Sequence, residues 1–253
     1  MKHLSIVAAL AFAAAGQAIA ADLPEPAAPP PRAPAAYMPV VAPVYNWGGI
    51  YYGINGGYGF GKSDWTDPSN FSGLGSTGSF NLSGFAVGGT VGANYQMDAF
   101  VFGLEGDLDY MGLDGKSSSA FCGAVGFGAG AQCETKETWL GTARGRIGYA
   151  ADRVLFYGTA GGAFGNIQTG VAGNFVNSTK AGWTAGAGVE AAFADNWTAR
   201  IEYLYVDLQN TSCTTSANCG NDPAGPGGGP VPANDTVKFS TSLIRLGIDY
   251  KFR

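Results

Sequence analysis

Phe100-Val-Phe-Gly-Leu-Glu-Gly-Asp-Leu-Asp-Tyr110 sets Phe100, Phe102, Leu104, Leu108 and Tyr110 against Gly103, Glu105, Asp107 and Asp109. A period of two is the mark of a β-strand with two unlike faces. Here one face is aromatic and aliphatic, while the other carries three carboxylates at every second position. Periodicity alone does not say which face is inside. That question decides between a soluble barrel and a membrane-spanning one.

Seven further segments carry a strand pattern. Ile50, Tyr52, Ile54, Tyr58 and Phe60 alternate with Gly49, Gly53, Asn55, Gly57 and Gly59. Phe85, Val87, Val91 and Tyr95 alternate with Gly84, Gly88, Thr90 and Gly92. Trp139, Ala143, Ile147 and Tyr149 face away from Thr138, Thr142, Arg144 and Arg146. Val154 to Gly165 reads as a fifth strand of ambiguous facing. Trp183, Val189 and Phe193 oppose Thr184 and Glu190, and Ile201, Tyr203 and Tyr205 oppose Arg200 and Glu202. Ile244, Leu246, Ile248, Tyr250 and Phe252 alternate with Arg245, Gly247, Asp249 and Lys251.

The segments sum to eight strands with connections of alternating length. Short turns fall at Met97–Ala99, Ala150–Arg153 and Ala194–Trp197, and long Gly/Ser/Asn-rich loops at 62–78, 114–136, 166–180 and 209–238. Short turns on one side and long loops on the other characterise an outer-membrane barrel. Volume settles the facing. An eight-stranded barrel has room only for the side chains that fill it, and 15 Phe, 12 Tyr and 5 Trp do not all fit inside. The apolar face therefore points to lipid. Glu105, Asp107, Asp109, Arg144, Arg146, Glu190, Arg200, Glu202 and Arg245 then form an interior network. Five acids against four arginines approach the balance that burial requires. Trp47, Tyr95, Trp139, Tyr149, Trp197, Tyr205 and Tyr250 lie at strand ends, where interfacial girdles form. The expected fold is all-β: an eight-stranded antiparallel transmembrane up-and-down β-barrel.

Composition agrees. The 253 residues include 41 Gly, and only 13% are charged. Each Gly costs a helix about 0.8–1.0 kcal/mol relative to Ala, which disfavours a helical bundle. The net charge of −5, with 14 scattered basic residues, leaves no nucleic-acid footprint. Residues 1–20 read as a secretory signal peptide, with Lys2, an apolar run from Leu4 to Ala15 and Ala18-Ile-Ala20 as the cleavage site. Residues 21–46 form a Pro-rich periplasmic linker, and 47–253 the outer-membrane barrel. The one histidine, His3, leaves with the signal. Catalysis by a Ser-His-Asp or Cys-His site and His-ligated metal are thereby excluded. No metal or other cofactor is expected, and the chain reads as a non-enzyme.

Three motifs need weighing. Gly56-Gly-Tyr-Gly-Phe-Gly-Lys-Ser63 matches the P-loop pattern. The phosphate of a true P-loop rests on a helix starting at the Lys, whereas Ser63-Asp-Trp-Thr-Asp-Pro68 reads as loop, so the match is by chance. Cys122 with Cys133, and Cys213 with Cys219, share the second and fourth long loops. Four cysteines allow three pairings; loop closure favours the two local ones, and no C-x-x-C spacing supports zinc. The Gly/Pro-rich stretch 220–233 is a binding element or, more simply, tolerant surface.

Trp47-Gly-Gly-Ile-Tyr-Tyr-Gly53, Gly182-Trp-Thr-Ala-Gly-Ala-Gly-Val-Glu190, Asn196-Trp-Thr-Ala-Arg-Ile-Glu-Tyr-Leu-Tyr205 and Arg245-Leu-Gly-Ile-Asp-Tyr-Lys-Phe252 together carry a resemblance. The chain is similar, over residues 1–252, to the eight-stranded outer-membrane porin-family proteins of alphaproteobacteria, OmpA-like in barrel size. The resemblance implies a Gram-negative outer-membrane protein serving envelope integrity, with porin, haem-binding or host-contact roles in some members. It also implies a C-terminal insertion signal for the barrel-assembly machinery, here Gly247, Tyr250 and Phe252, although Arg253 follows the final aromatic. Expected partners are outer-membrane lipids and lipopolysaccharide, the assembly machinery, and peptidoglycan through the linker. The leading functional expectation is a structural barrel with a charge-plugged interior that displays surface loops. The alternative is a small porin or surface receptor for solutes or haem.

Overall fold

The computed structural model describes residues 45–66, 76–120, 122, 130–171, 174–213, 221–222, 231–232 and 235–252. The expected signal peptide, all but the last two residues of the expected linker, Cys219 and Arg253 lie outside the described residues. So does most of 220–233. Ten strands follow in chain order: β1 (Gly49–Thr66), β2 (Phe80–Met97), β3 (Phe100–Ser117), β4 (Cys133–Ala151), β5 (Val154–Val171), β6 (Asn174–Ala192), β7 (Trp197–Cys213), β8 (Asn221–Asp222), β9 (Val231–Pro232) and β10 (Asp235–Lys251). The long ones close into a barrel in the order β1-β10-β7-β6-β5-β4-β3-β2, every pair antiparallel; β8 and β9 pair as a short hairpin. This is the eight-stranded up-and-down barrel expected, and closure leaves no open edge.

Asp98 and Asp152 turn two of the short connections with φ of 53° and 52°. Aspartate tolerates this left-handed backbone because its short side chain bonds locally. The strands run 17 to 19 residues, against the 9–11 that a tilted strand needs to cross the apolar layer. Tight turns fix one end, so the surplus length projects from the other. For this reason the expected long loop at 166–180 is mostly strand: β5 and β6 stay paired out to Val171 opposite Asn174.

The outer wall is apolar. Ile54, Leu104, Leu108, Leu246 and Phe193 are exposed by 63–73%, which in a membrane means exposed to lipid. Most of the expected girdle rings lie on this wall; Trp197 and Tyr250 sit 5.1 Å apart between centroids, and Tyr205 meets the further ring Trp183 at 5.4 Å. Trp47 departs from the expectation. It is buried at the short-turn mouth, where its Nε1 donates to the Asp152 carbonyl at 2.9 Å. Tyr45 packs edge-on against it, and both join Val101, Leu155, Tyr157 and Ala192 in an apolar stopper.

The interior holds more large apolar side chains than the volume argument allowed. Leu82, Met111, Leu113, Leu140, Leu204 and Leu243 are among those filling its loop-side half. Nearer the loops, Trp65 and Val237 pack on the Cys122–Cys133 disulfide. Trp65 Nε1 donates to Thr135 Oγ1 at 3.1 Å, so this end too is a packed layer. The disulfide closes an 11-residue separation, for which chain entropy gives an upper value of about 3 kcal/mol. Peptide mapping of protein from an oxidising periplasm is expected to recover Cys122 linked to Cys133. The double Cys122→Ser/Cys133→Ser variant should unfold at a lower urea midpoint; free thiols in the mapped protein would refute the bond. The Cys213–Cys219 pairing lies outside the described residues.

Candidate functional site

All nine predicted charged residues face the lumen and are buried. Each is placed there by the two-residue period, and small partners on neighbouring strands make the room. Gly88 lies opposite Asp109 and Gly92 opposite Glu105. A Cβ on Gly88 would run into the Asp109 carboxylate, and one on Gly92 into the Tyr51 ring.

The four arginines reach across the barrel. Arg144 on β4 bonds Glu105, reaches Asp107 at 2.8 Å and Glu202 at 2.9 Å, and donates from Nε to Thr142 at 3.0 Å. Arg245 on β10 bonds Asp107 and reaches Asp109 at 2.6 Å and Glu202 at 2.5 Å. On β7, Arg200 reaches Glu105 at 2.6 Å and Asp249 at 3.4 Å. Arg146 holds Glu190 at 2.7 Å, donates to the Tyr51 hydroxyl at 2.9 Å and stacks 4.0 Å over the Tyr157 ring. Tyr51 in turn donates to Glu105 at 2.6 Å, and Tyr157 to Glu202 at 3.2 Å. One ion-pair lattice thus ties β3, β4, β6, β7 and β10 together through the lumen.

Sequence reading missed several members. Alternation with Tyr250 puts Asp249 on the inward face, but only the fold shows that it pairs with Arg200 of the neighbouring β7. It raises the count to six carboxylates (Glu105, Asp107, Asp109, Glu190, Glu202, Asp249) against the four arginines. Glu137 was missed for a geometric reason. The β4 register slips between Glu137 and Trp139 against β5, so one extra residue is accommodated there. Such a bulge inverts the facing on its far side. Thr138, read as inward, instead bonds Asn166 at 3.0 Å, while Glu137 turns into the lumen and accepts from Thr241 at 3.1 Å.

The P-loop look-alike lies within β1, extended from Gly49 to Thr66, with no helix to seat a phosphate. In the proposed insertion signal, Gly247 faces inward while Tyr250 and Phe252 contact each other edge-on at 5.4 Å on the outer wall. Tyr52 of β1 packs on both, so the last strand closes the barrel through rings as well as hydrogen bonds.

A family model described as an outer membrane protein beta-barrel domain matches residues 5–252. The chain belongs to this family. Members of the outer-membrane barrel family similar to it include the 31 kDa outer-membrane immunogenic protein of Brucella melitensis, 34% identical over 98% of each chain. The 25 kDa outer-membrane immunogenic protein of Brucella abortus is 34% identical over 100% of this chain and 99% of its own. Among solved structures, Ail, the attachment invasion locus protein of Yersinia pestis, is 16% identical, covering 81% of this chain and 99% of that one with a TM-score of 0.38. This barrel-family protein is a protein of the Gram-negative outer membrane. In outer-membrane barrels short turns face the periplasm and the longer loops face outside.

Proposed function

We propose that the chain is a closed, non-enzymatic barrel that supports envelope integrity and presents its long loops outside the cell. One observation carries this reading: the buried ion-pair lattice fills the lumen between two apolar layers, the Trp47 stopper and the Leu243 cluster. Ions do not pass through packed leucines, and aqueous channels belong to barrels of about 16 strands. The names of the Brucella relatives, outer-membrane immunogenic proteins, accord with surface-presented loops. The one histidine, His3, lies outside the barrel segment 47–253, so the barrel offers no histidine as a general base, which accords with a non-catalytic role. Gly247, Tyr250 and Phe252 serve assembly in this reading, and peptidoglycan is the partner assigned to the Pro-rich segment.

Reconstituted in a planar bilayer, the protein is expected to give no steady conductance. Sustained nanosiemens openings would replace this reading with that of a small porin. A deletion strain should show detergent sensitivity and surface blebbing. A wild-type envelope in that strain would remove the integrity role and leave loop display to be tested alone.

A further inference from the structure

Polar side chains interrupt the apolar outer wall toward the loop-side ends of β1 and β10. On β2, β1, β10 and β7, register aligns Ser83, Phe60, Ser242 and Tyr205 in one outward row. The next row toward the loops holds Asn81, Lys62, Ser240 and Asp207, followed by Asp64 opposite Lys238. Ser242 between the Phe60 and Tyr205 rings, with Ser83 on the far side of Phe60, leaves a notch. Two adjoining cavities of about 560 and 280 Å³ occupy it, sharing Lys62, Tyr205 and Ser240.

Its depth is set by β10. From Tyr250 in the periplasmic girdle to Ser242 is eight residues, roughly 20 Å of membrane thickness once strand tilt is allowed for. The notch therefore opens where the acyl layer gives way to the headgroups of the outer leaflet. Hydroxyls facing pure hydrocarbon cost free energy unless partnered. Ser242 shares a hydrogen bond with Tyr203 at 2.9 Å, but no such bond occupies the Ser83 or Ser240 hydroxyl among the described residues.

The charges are equally specific. Lys116 and Lys136 both pair with Glu134, at 3.4 and 3.0 Å. Lys62 and Lys238 stand diagonally on one face and make no ion pair among the described residues. The Asp64 carboxylate accepts from Thr66 and Ser76 through Oδ1, and Asp207 from the Gln209 amide, also through Oδ1. The notch thus offers ammonium donors for phosphate, carboxylate acceptors for hydroxyls, and two aromatic walls for a sugar face. An anionic phospholipid matches the ammoniums but leaves the carboxylates opposed.

We propose that this notch binds the phosphorylated sugar headgroup of an outer-leaflet glycolipid, with Lys62 and Lys238 on phosphate and Phe60 and Tyr205 against the sugar. The protein bears a fixed lipid on its β1–β10 face.

Native mass spectrometry of the full-length protein in detergent tests this with three probes: bisphosphorylated lipid A, its dephosphorylated form, and cardiolipin, which carries two phosphates and few hydroxyls. One lipid A is expected to stay bound, and both other probes to compete poorly. Lys62→Gln/Lys238→Gln should weaken lipid A at least about tenfold, since hydrogen bonds to charged groups exceed 1.4 kcal/mol. Ser242→Leu should do the same by filling the notch, and Lys136→Gln should not. Heat-modifiable gel migration shows that each variant is folded. Equal binding of cardiolipin would overturn the sugar contact, equal binding of the dephosphorylated form the phosphate contact, and wild-type affinity in both notch variants the site itself.

Discussion

Arg144→Glu is expected to abolish the folded barrel or leave it severely destabilised. Arg144 is buried and meets Glu105, Asp107 and Glu202 at once. Forming such a lattice adds little net stability, because desolvation offsets the attraction. Breaking it is different: removing one partner of a buried pair costs about 3–5 kcal/mol. Reversal goes further by setting a fourth carboxylate among three. That loss is comparable to the whole stability of many proteins, about 5–15 kcal/mol. Arg153→Glu is the control. Arg153 pairs with Asp195 at 3.7 Å, with side chains 50% and 67% exposed, and such surface pairs contribute about 0–1 kcal/mol. Urea midpoints and heat-modifiable migration report both variants. Wild-type behaviour of Arg144→Glu would mean that the lattice does not hold the barrel.

What made the fold legible is contrast between the two faces of a strand. In Phe100–Tyr110 the faces differ as far as side chains can, and the structure follows the reading residue by residue. Contrast fails where both faces are alike. Between Gly158 and Ala163, Gly, Ala and Thr occupy both, so the pattern leaves β5 ambiguous, whereas Leu155 and Tyr157 point inward in the fold. It fails again at 166–180, where buried Ile167 and Thr169 alternate with Asn166 and Gln168, so apolar and polar residues share the inward face. In the loop-side half of the lumen, Leu204 and Leu243 face inward beside outward Tyr203 and Ile244. Two apolar faces give no period, and that layer was invisible. Glu137 was hidden by a bulge, which no pattern at a fixed spacing registers. The nine charged residues were legible because acids and arginines sat on the same period as glycine. Their cross-lumen partners were not, since a strand's sequence names its faces and not the strand opposite.

Leu246→Arg is expected to cost about 2–4 kcal/mol in a lipid bilayer, the range for Arg on the lipid face of a barrel near the midplane. Leu246 is 63% exposed, flanked by outward Ile244 and Ile248, and opposite Gly56 and Ile201 on the neighbouring strands. A surface position in water would tolerate the change within about 0.5 kcal/mol. Asn177→Arg, on the stretch of β6 that stands clear of the membrane, should cost no more than about 1 kcal/mol. Urea unfolding in vesicles measures all three proteins. The comparison has force because of the residue next door. Arg245 points into the lumen and bonds three carboxylates, so Arg belongs at 245 and is penalised at 246. An unchanged midpoint for Leu246→Arg would mean that lipid does not cover this wall, and the facing taken from side-chain volume would fall with it.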